Sequence, residues 1–306
     1  MRVLVVIFGG ADYDMISELG LRNLQQATFG KATATDLWKD QDTATQITSQ
    51  LITGKTWEQS GVRGRKKYTV GPVEKVEKNL QRRFDGGVFG WIEGVTRPLR
   101  VGLYRSILAT RGKNLNSRNY LHVDLKTPSL FDMIDDSRSL YVPSYDPEPS
   151  WAIRRNILNP ERFPDLGHEG ALDLAEKNFE WRKSQFLDLS DENHDLLMTQ
   201  FQYLDSLQHL YLWRTDPPDW DSVNESYKRI NKFAGEIINE FDQYDRILFI
   251  SDNGIPKPGS GRTHMDRPFY SINETIDISE NRIIDFHQHI KDWLQSPPNP
   301  VLVSTT

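Results

Sequence analysis

The sequence of 306 residues contains no cysteine. Disulfide bonds and thiolate metal sites are therefore excluded, and any metal site has to be built from oxygen and nitrogen ligands. A run of eighteen apolar residues is also absent, and Met1–Phe8 is too short to be the apolar core of a signal peptide. We therefore expect no transmembrane segment and a cytoplasmic protein.

Positive charge is in deficit. Lysine and arginine number 37 against 43 aspartate and glutamate residues, which gives a formal net charge of -6. A chain with this charge does not favour the phosphates of nucleic acids as its main ligand. We expect no nucleic-acid partner.

Two glycine-rich nucleotide motifs are missing. The first apolar run ends in Gly9 and Gly10 without the three-glycine spacing of a dinucleotide-binding turn. Gly54-Lys55-Thr56 resembles the end of a phosphate-binding loop, but the position of the required first glycine holds Ser49. Neither site is predicted.

Apolar runs rich in β-branched residues alternate with amphipathic segments along the chain. Val3–Phe8, Leu196–Leu204 and the run that ends at Ser251 have the character of strands buried on both faces of a parallel sheet. Val223–Phe241 has apolar residues at helical spacing and is predicted to be an amphipathic helix. The pattern predicts an α/β fold with a doubly wound, mostly parallel central sheet and helices on both faces.

Two segments interrupt this alternation within what we predict to be a single domain of residues 1–306. The segment of about 63–117 is rich in arginine, lysine and glycine and has weak periodicity, so we predict an inserted basic lid. The segment of about 146–189 is predicted to be a second, mostly helical insertion. The basic lid either draws an anionic substrate to the site or forms a solvated flap, and its composition leaves both open.

Asp205 and His209 lie four residues apart, directly after an apolar run. If Leu196–Leu204 is a strand and Ser206 opens a helix, both side chains face one crevice at the carboxyl end of that strand. Asp252 follows another strand, and ligands bind beyond the carboxyl ends of parallel strands, so we expect it to share the crevice. Carboxylate and imidazole groups suit zinc. Alternatively, Asp205 caps a helix and His209 is a half-buried surface residue.

Two histidines near the end of the chain have no such spacing. His287 and His289 are two positions apart in a predicted closing helix, Ile283–Leu294. Residues two apart on a helix face different directions. We expect both at the surface rather than at a metal.

Taken in order, these pieces resemble the alkaline phosphatase superfamily, specifically its nucleotide pyrophosphatase/phosphodiesterase branch, to which sulfatases and cofactor-independent phosphoglycerate mutases are related. The resemblance covers the start, the middle and the end of the chain but not the basic insertion. It lies in the segments Val6–Asp14, Thr43–Val62, Phe201–Trp213 and Leu248–Asn273.

The resemblance implies catalysis by two divalent metal ions and a threonine or serine nucleophile. One metal in the family is held by an Asp-x-x-x-His pair and a later histidine. Asp205, His209 and His264 match these positions. Zinc is the metal that the resemblance implies at this set.

The residues that bind the second metal ion in the family are only partly present in this chain. Gly9 stands where the metal-binding aspartate belongs, and Asn253 stands where a histidine follows Asp252. One possibility is a second site rebuilt from Asp12 or Asp14 with Asp252 and Asn253, which would suit a harder ion such as magnesium or manganese. In the other, Asp12 and Asp14 cap the first helix, and Asp252 and Asn253 form a turn.

The nucleophile position falls on Ala44, between Thr43 and Thr45. A shift of one residue restores a hydroxyl group. We predict Thr45 rather than Thr43, because Thr45 opens the helix, where backbone N–H groups favour an oxyanion or a phosphate.

Two hypotheses for function follow. The first is a metal-dependent hydrolase of phosphate esters (phosphodiester or phosphomonoester) or sulfate esters, acting on an anionic small molecule or on a glycan- or lipid-linked ester. The second is a relative that has lost catalysis, keeps the fold and at most one metal, and acts as a binding or regulatory protein.

Overall fold

The computed structural model describes residues 1–37, 43–64, 67–69, 116–147, 157, 166–257 and 264–296. Contacts divide the chain into two compact units, one of Met1–Arg65 with Tyr120–Thr306 and one of Lys66–Asn119. Most of the predicted basic lid lies outside the described residues, as does much of the predicted insertion at 146–189.

Eight strands are described, in chain order: β1 Val3–Phe8, β2 Thr28–Lys31, β3 Lys67–Thr69, β4 Asn116–Arg118, β5 Ser137–Leu140, β6 Leu196–Phe201, β7 Arg246–Ile250 and β8 Phe269–Ile272. The α-helices described are α1 Tyr13–Glu18, α2 Arg22–Gln25, α3 Ala44–Thr53, α4 Trp57–Ser60, α5 Leu130–Met133, α6 Gly167–Leu187, α7 Tyr203–Trp213, α8 Trp220–Glu240 and α9 Phe286–Gln295. In the second unit, β3 and β4 pair antiparallel.

The first unit is built on a six-stranded sheet of order β2-β8-β7-β1-β6-β5. Strands β5, β6, β1 and β7 run parallel, and β8 runs antiparallel to both of its neighbours. The predicted α/β fold with a mostly parallel central sheet is confirmed.

Helices cover both faces of this sheet. In β1, Leu4, Val6 and Phe8 pack into one core with α1, α2, α6, α7 and α8. The alternate residues Val3, Val5 and Ile7 pack into the other core with α3, α5 and α9. Side chains of a strand alternate between the faces of a sheet, so a strand covered on both faces reads as a continuous apolar run.

The long amphipathic helix is confirmed as α8. Its buried stripe consists of Val223, Tyr227, Ile230, Phe233 and Ile237. Among the described residues, no helix combines the length and the apolar character needed to cross a membrane.

The sheet brings four connections to one edge. Since β1, β6 and β7 are parallel, the residues that follow Phe8, Phe201 and Ile250 lie at the same edge. Strand β8 runs the other way, so residues 264–268, which precede it, also lie there. The predicted crevice is at this edge.

One helix boundary differs from the prediction. Helix α7 begins at Tyr203, three residues before the predicted Ser206. Asp205 therefore lies in the first turn of α7 rather than at the end of strand β6. Because His209 is on the same helix, the two side chains are one turn apart in any case.

The prediction that His287 lies at the surface is wrong. Its side chain is 8% exposed and lies against Gly54 at the end of α3. Burial lowers the pKa of His287 to about 4, and the charges of Lys291 and Lys55 act in the same direction. The folded protein thus holds this imidazole neutral.

Gly54 makes this contact possible. It ends α3 in the left-handed conformation with φ +61°, and a Cβ atom there would lie 2.6 Å from Cδ2 of His287. Glycine meets both requirements, because it accepts positive φ and has no side chain.

We predict that His287 makes the protein less stable as the pH falls from about 6.5 to about 4. In this window the unfolded chain takes up a proton on His287, with an ordinary pKa of 6.5, before the folded chain does. The free energy of unfolding should fall by about 1.4 kcal/mol per pH unit at most. Urea unfolding over a pH series should show that His287→Asn removes this slope. His289→Asn is the control, and equal slopes in the two variants would contradict the prediction.

Candidate metal centre

Asp205, His209 and His264 converge at the carboxyl edge of the sheet. Oδ1 of Asp205 lies 3.1 Å from Nε2 of His264 and 3.5 Å from Nε2 of His209. All three side chains are buried, and one ligand atom from each lies within 4.8 Å of the others. Within the described part of the chain, this is the only group of three or more such side chains that could hold a metal ion.

Helix α7 and a loop before β8 supply these side chains. Asp205 and His209 project from consecutive turns of α7, and the backbone N–H of Asp205 donates to the carbonyl of Gly9 over 3.1 Å. His264 is fixed by an antiparallel bridge to Pro256. The sheet edge therefore determines the position of each residue before any ligand binds.

The donor set suits a divalent metal ion. Ligand atoms placed tetrahedrally at about 2.0–2.2 Å from an ion such as zinc lie roughly 3.3–3.6 Å apart, and the two distances from Oδ1 of Asp205, 3.1 and 3.5 Å, are close to this. Two imidazoles and one carboxylate are a common ligand set for a zinc ion that keeps one position open. Nδ1 of the buried His209 has no hydrogen-bond partner among the described residues.

The alternative interpretation, in which Asp205 caps a helix and His209 is a surface residue, does not agree with the structure. Gln202, not Asp205, is the N-cap residue of α7. His209 is 5% exposed, so it is not a surface residue.

Asp252 lies at the same edge and is 2% exposed. Its Oδ2 accepts hydrogen bonds from Nε2 of Gln200 over 3.0 Å and from Nε2 of Gln202 over 3.4 Å. Its Oδ1 accepts from the backbone N–H of Gly10 over 3.2 Å. Both oxygens therefore face N–H donors of the protein.

Asp12 is fully buried and has two structural roles. Its Oδ1 accepts from the N–H groups of Asp14 and Met15 and so caps α1. Its Oδ2 accepts from the N–H of Ile255 and lies 3.1 Å from Nε of Arg267. Burial raises the pKa of Asp12, while the Arg267 guanidinium acts to lower it.

The remaining predicted residues surround this edge. Asn253 is buried, and its Oδ1 has no hydrogen-bond partner among the described residues. Asp14 is partly exposed and pairs with Nη1 of Arg267 over 2.5 Å. Asp12 and Asp252 belong to no group that could hold a metal in the described part of the chain.

Helix α3 begins at Ala44, one residue before the predicted Thr45. Thr43 is the N-cap, and its Oγ1 accepts from the N–H and the side-chain amide of Gln46, each over 3.4 Å. Thr45 is in the first turn and half-buried. Its carbonyl accepts a hydrogen bond of 2.6 Å from Oγ of Ser144, which follows β5. The helix start is thus attached to the connection after β5, the neighbour of β6.

The sequence analysis missed a polar network beneath the metal centre. Gln208 donates from Nε2 to the carbonyl of Gly10 over 2.8 Å and to the hydroxyl of Tyr227 over 3.0 Å. The Tyr227 hydroxyl also accepts from the N–H of Asp12 over 2.9 Å and donates to the carbonyl of Gly10. Burial raises the pKa of Tyr227, so the hydroxyl stays protonated.

A signal for part of this network is present in the sequence. Gln200 and Gln202 are alternate residues in a mostly apolar run, and Gln208 directly precedes His209. Amide side chains in a buried strand need partners. Tyr227 offers no such signal, because it lies within the apolar stripe of α8.

Comparisons with known proteins give a limited result. No protein-family model matches the chain, and no curated protein matches it. Solved structures of murine ectonucleotide pyrophosphatase/phosphodiesterase 5 are similar with a TM-score of 0.47 at 11% identity, and at 12% for an inactive variant in complex with AMP. The human protein gives 0.46 at 12% identity.

Each match covers 83% of this chain and 57% of the other. The chain thus spans little more than half the length of these proteins. A similarity with this TM-score and sequence identity gives no information about activity. The activity has to be inferred from the side chains of this protein.

We predict that Tyr227→Phe lowers the free energy of unfolding by about 1–3 kcal/mol, because it leaves the buried N–H of Asp12 without its acceptor. Tyr270→Phe is the matched control, since Tyr270 is also buried and its hydroxyl has no hydrogen bond to the described residues. Chemical unfolding of both variants measures the difference. Equal losses of stability would show that the hydroxyl network contributes nothing.

Proposed function

We propose that this protein is a metal-dependent hydrolase of phosphate or sulfate esters, with zinc held by Asp205, His209 and His264. The observation that carries the proposal is the convergence of these three buried side chains at the carboxyl edge of a parallel sheet. Three protein ligands are the pattern of catalytic zinc sites, which keep a position for water or substrate.

The charge of this ligand set favours an anionic substrate. One carboxylate and two neutral imidazoles leave a zinc site with one positive charge. A zinc ion in such a site acts as a Lewis acid toward an ester oxygen. We propose as substrate an anionic small molecule or a glycan- or lipid-linked ester.

Thr45 is the proposed nucleophile. Its hydroxyl has no hydrogen bond to the described residues, whereas the hydroxyl of Thr43 is used to cap α3. Thr45 also lies in the first turn of α3, where free backbone N–H groups stabilise negative charge. The bond from Ser144 to its carbonyl supports a position near the sheet edge.

A second candidate function is a metal-binding protein without turnover. It is favoured by the contacts of Asp252, whose two oxygens already accept from Gln200, Gln202 and Gly10. If the protein is a hydrolase, it has to act without a metal ion at Asp252. The hydrolase and the binding protein therefore differ in whether the Thr45 hydroxyl is activated as a nucleophile.

We predict that the purified protein binds zinc and that His209→Ala and His264→Ala each abolish binding, because removing one of three ligands from a buried site leaves an unstable pair. Elemental analysis after dialysis measures the metal content. His194→Ala, a histidine paired with Asp136 and Glu192 at the surface, is the control and should keep the metal. Full zinc content in His209→Ala would contradict the site.

Turnover distinguishes the two candidate functions. We expect hydrolysis of an aryl phosphodiester, an aryl phosphomonoester or an aryl sulfate in the presence of zinc, manganese or magnesium. Thr45→Ala should lower kcat by about 10³-fold or more. Thr43→Ala should retain kcat and lose roughly 1 kcal/mol of stability, because only a helix cap is removed.

The absence of turnover with every metal and substrate would favour the binding protein. Loss of kcat in Thr43→Ala with full activity in Thr45→Ala would exchange the roles of the two threonines.

A further inference from the structure

We propose that this chain binds one metal ion and not two, because the side-chain amides of Gln200 and Gln202 hold the Asp252 carboxylate in place of a second ion. The inference rests on the proposed metal site at Asp205, His209 and His264, and it concerns the other carboxylates at the same edge.

A carboxylate as buried as Asp252 needs compensation for the water that it loses. Either a cation or several N–H donors can supply it. Asp252 has three donors within 3.4 Å, two of them on the same oxygen. Hydrogen bonds to a charged acceptor are among the strong ones. A metal ion at Asp252 would have to displace these N–H donors, because their positively polarised hydrogen atoms point at the carboxylate oxygens that the ion would bind.

Gly9 and Gln202 form the second part of the argument. A Cβ atom on Gly9 would lie 2.7 Å from Oε1 and 2.8 Å from Nε2 of Gln202. The amide of Gln202 therefore fills the space that a side chain at position 9 would need. A carboxylate ligand at position 9 and a glutamine in this conformation at position 202 exclude each other.

Asp12 does not replace the missing ligand. Each of its oxygens accepts from protein N–H groups, and one of them lies beside the positive charge of Arg267. A second cation near this oxygen would meet repulsion from the guanidinium.

The turn after β1 lies between Asp252 and the first metal ligand. The N–H of Gly10 donates to Asp252, and the carbonyl of Gly9 accepts from the N–H of Asp205.

Metal stoichiometry tests the proposal. The full chain is saturated with zinc alone or manganese alone, dialysed, and measured by elemental analysis. We expect one ion per chain for the native protein and for Asp252→Asn, and none for His209→Ala. Two ions per chain, falling to one in Asp252→Asn, would overturn the inference while leaving the proposed function intact. No ion in the native protein would overturn both.

A gain-of-site variant tests the physical reason. Gly9→Asp with Gln202→Ala and Asn253→His removes the obstructing amide and adds two ligands, and we expect two ions per chain. Gly9→Asp alone, with Gln202 still in place, should remain at one. A folded triple variant that binds only one ion would refute the role of the Gln202 amide as the obstacle at position 9. If circular dichroism shows that it does not fold, the stoichiometry of the native protein and of Asp252→Asn decides.

Discussion

Three carboxylates are buried at one edge of the sheet, and each needs compensation for lost hydration. Asp205 faces two imidazoles, Asp252 faces amide and backbone N–H groups, and Asp12 faces a helix N-terminus and Arg267. A buried charge without such partners would cost several kcal/mol. The kind of partner that each carboxylate has determines whether that carboxylate is available to bind a metal ion. Among the described residues, Asp205 is the one of the three that belongs to a group of side chains able to hold a metal ion.

The three carboxylates are also connected to one another. The Gly9–Gly10 turn touches Asp205 through a backbone hydrogen bond and Asp252 through another. Tyr227 and Gln208 join the same turn to Asp12 and to α7. A substitution at one carboxylate should therefore be felt by its neighbours, since residues within one hydrogen-bond network do not act independently.

Sequence patterns were sufficient for the sheet and for two of the three residues of the candidate metal centre. The continuous apolar run of β1 and the largely apolar runs of β6 and β7 identify buried parallel strands, because a strand covered on both faces carries few polar residues. The i, i+4 spacing of Asp205 and His209 places both on one helix face wherever the helix begins, which is why the error in its start at Ser206 did not affect the pair. His264 was chosen by its order in a family resemblance rather than by spacing.

The sequence by itself determined the elements whose signal is local: buried strands, the amphipathic α8 and the Asp205–His209 pair. Only the tertiary structure decided the contacts between residues far apart in the chain. It placed His264 against Asp205, His287 against the end of α3, and Gln200 of β6 and Gln202 at the start of α7 against Asp252 beyond β7. The physical reason is that a polar side chain has the same local pattern whether its partner is water, a metal or another side chain. The identity of the partner depends on which strands the sheet sets side by side.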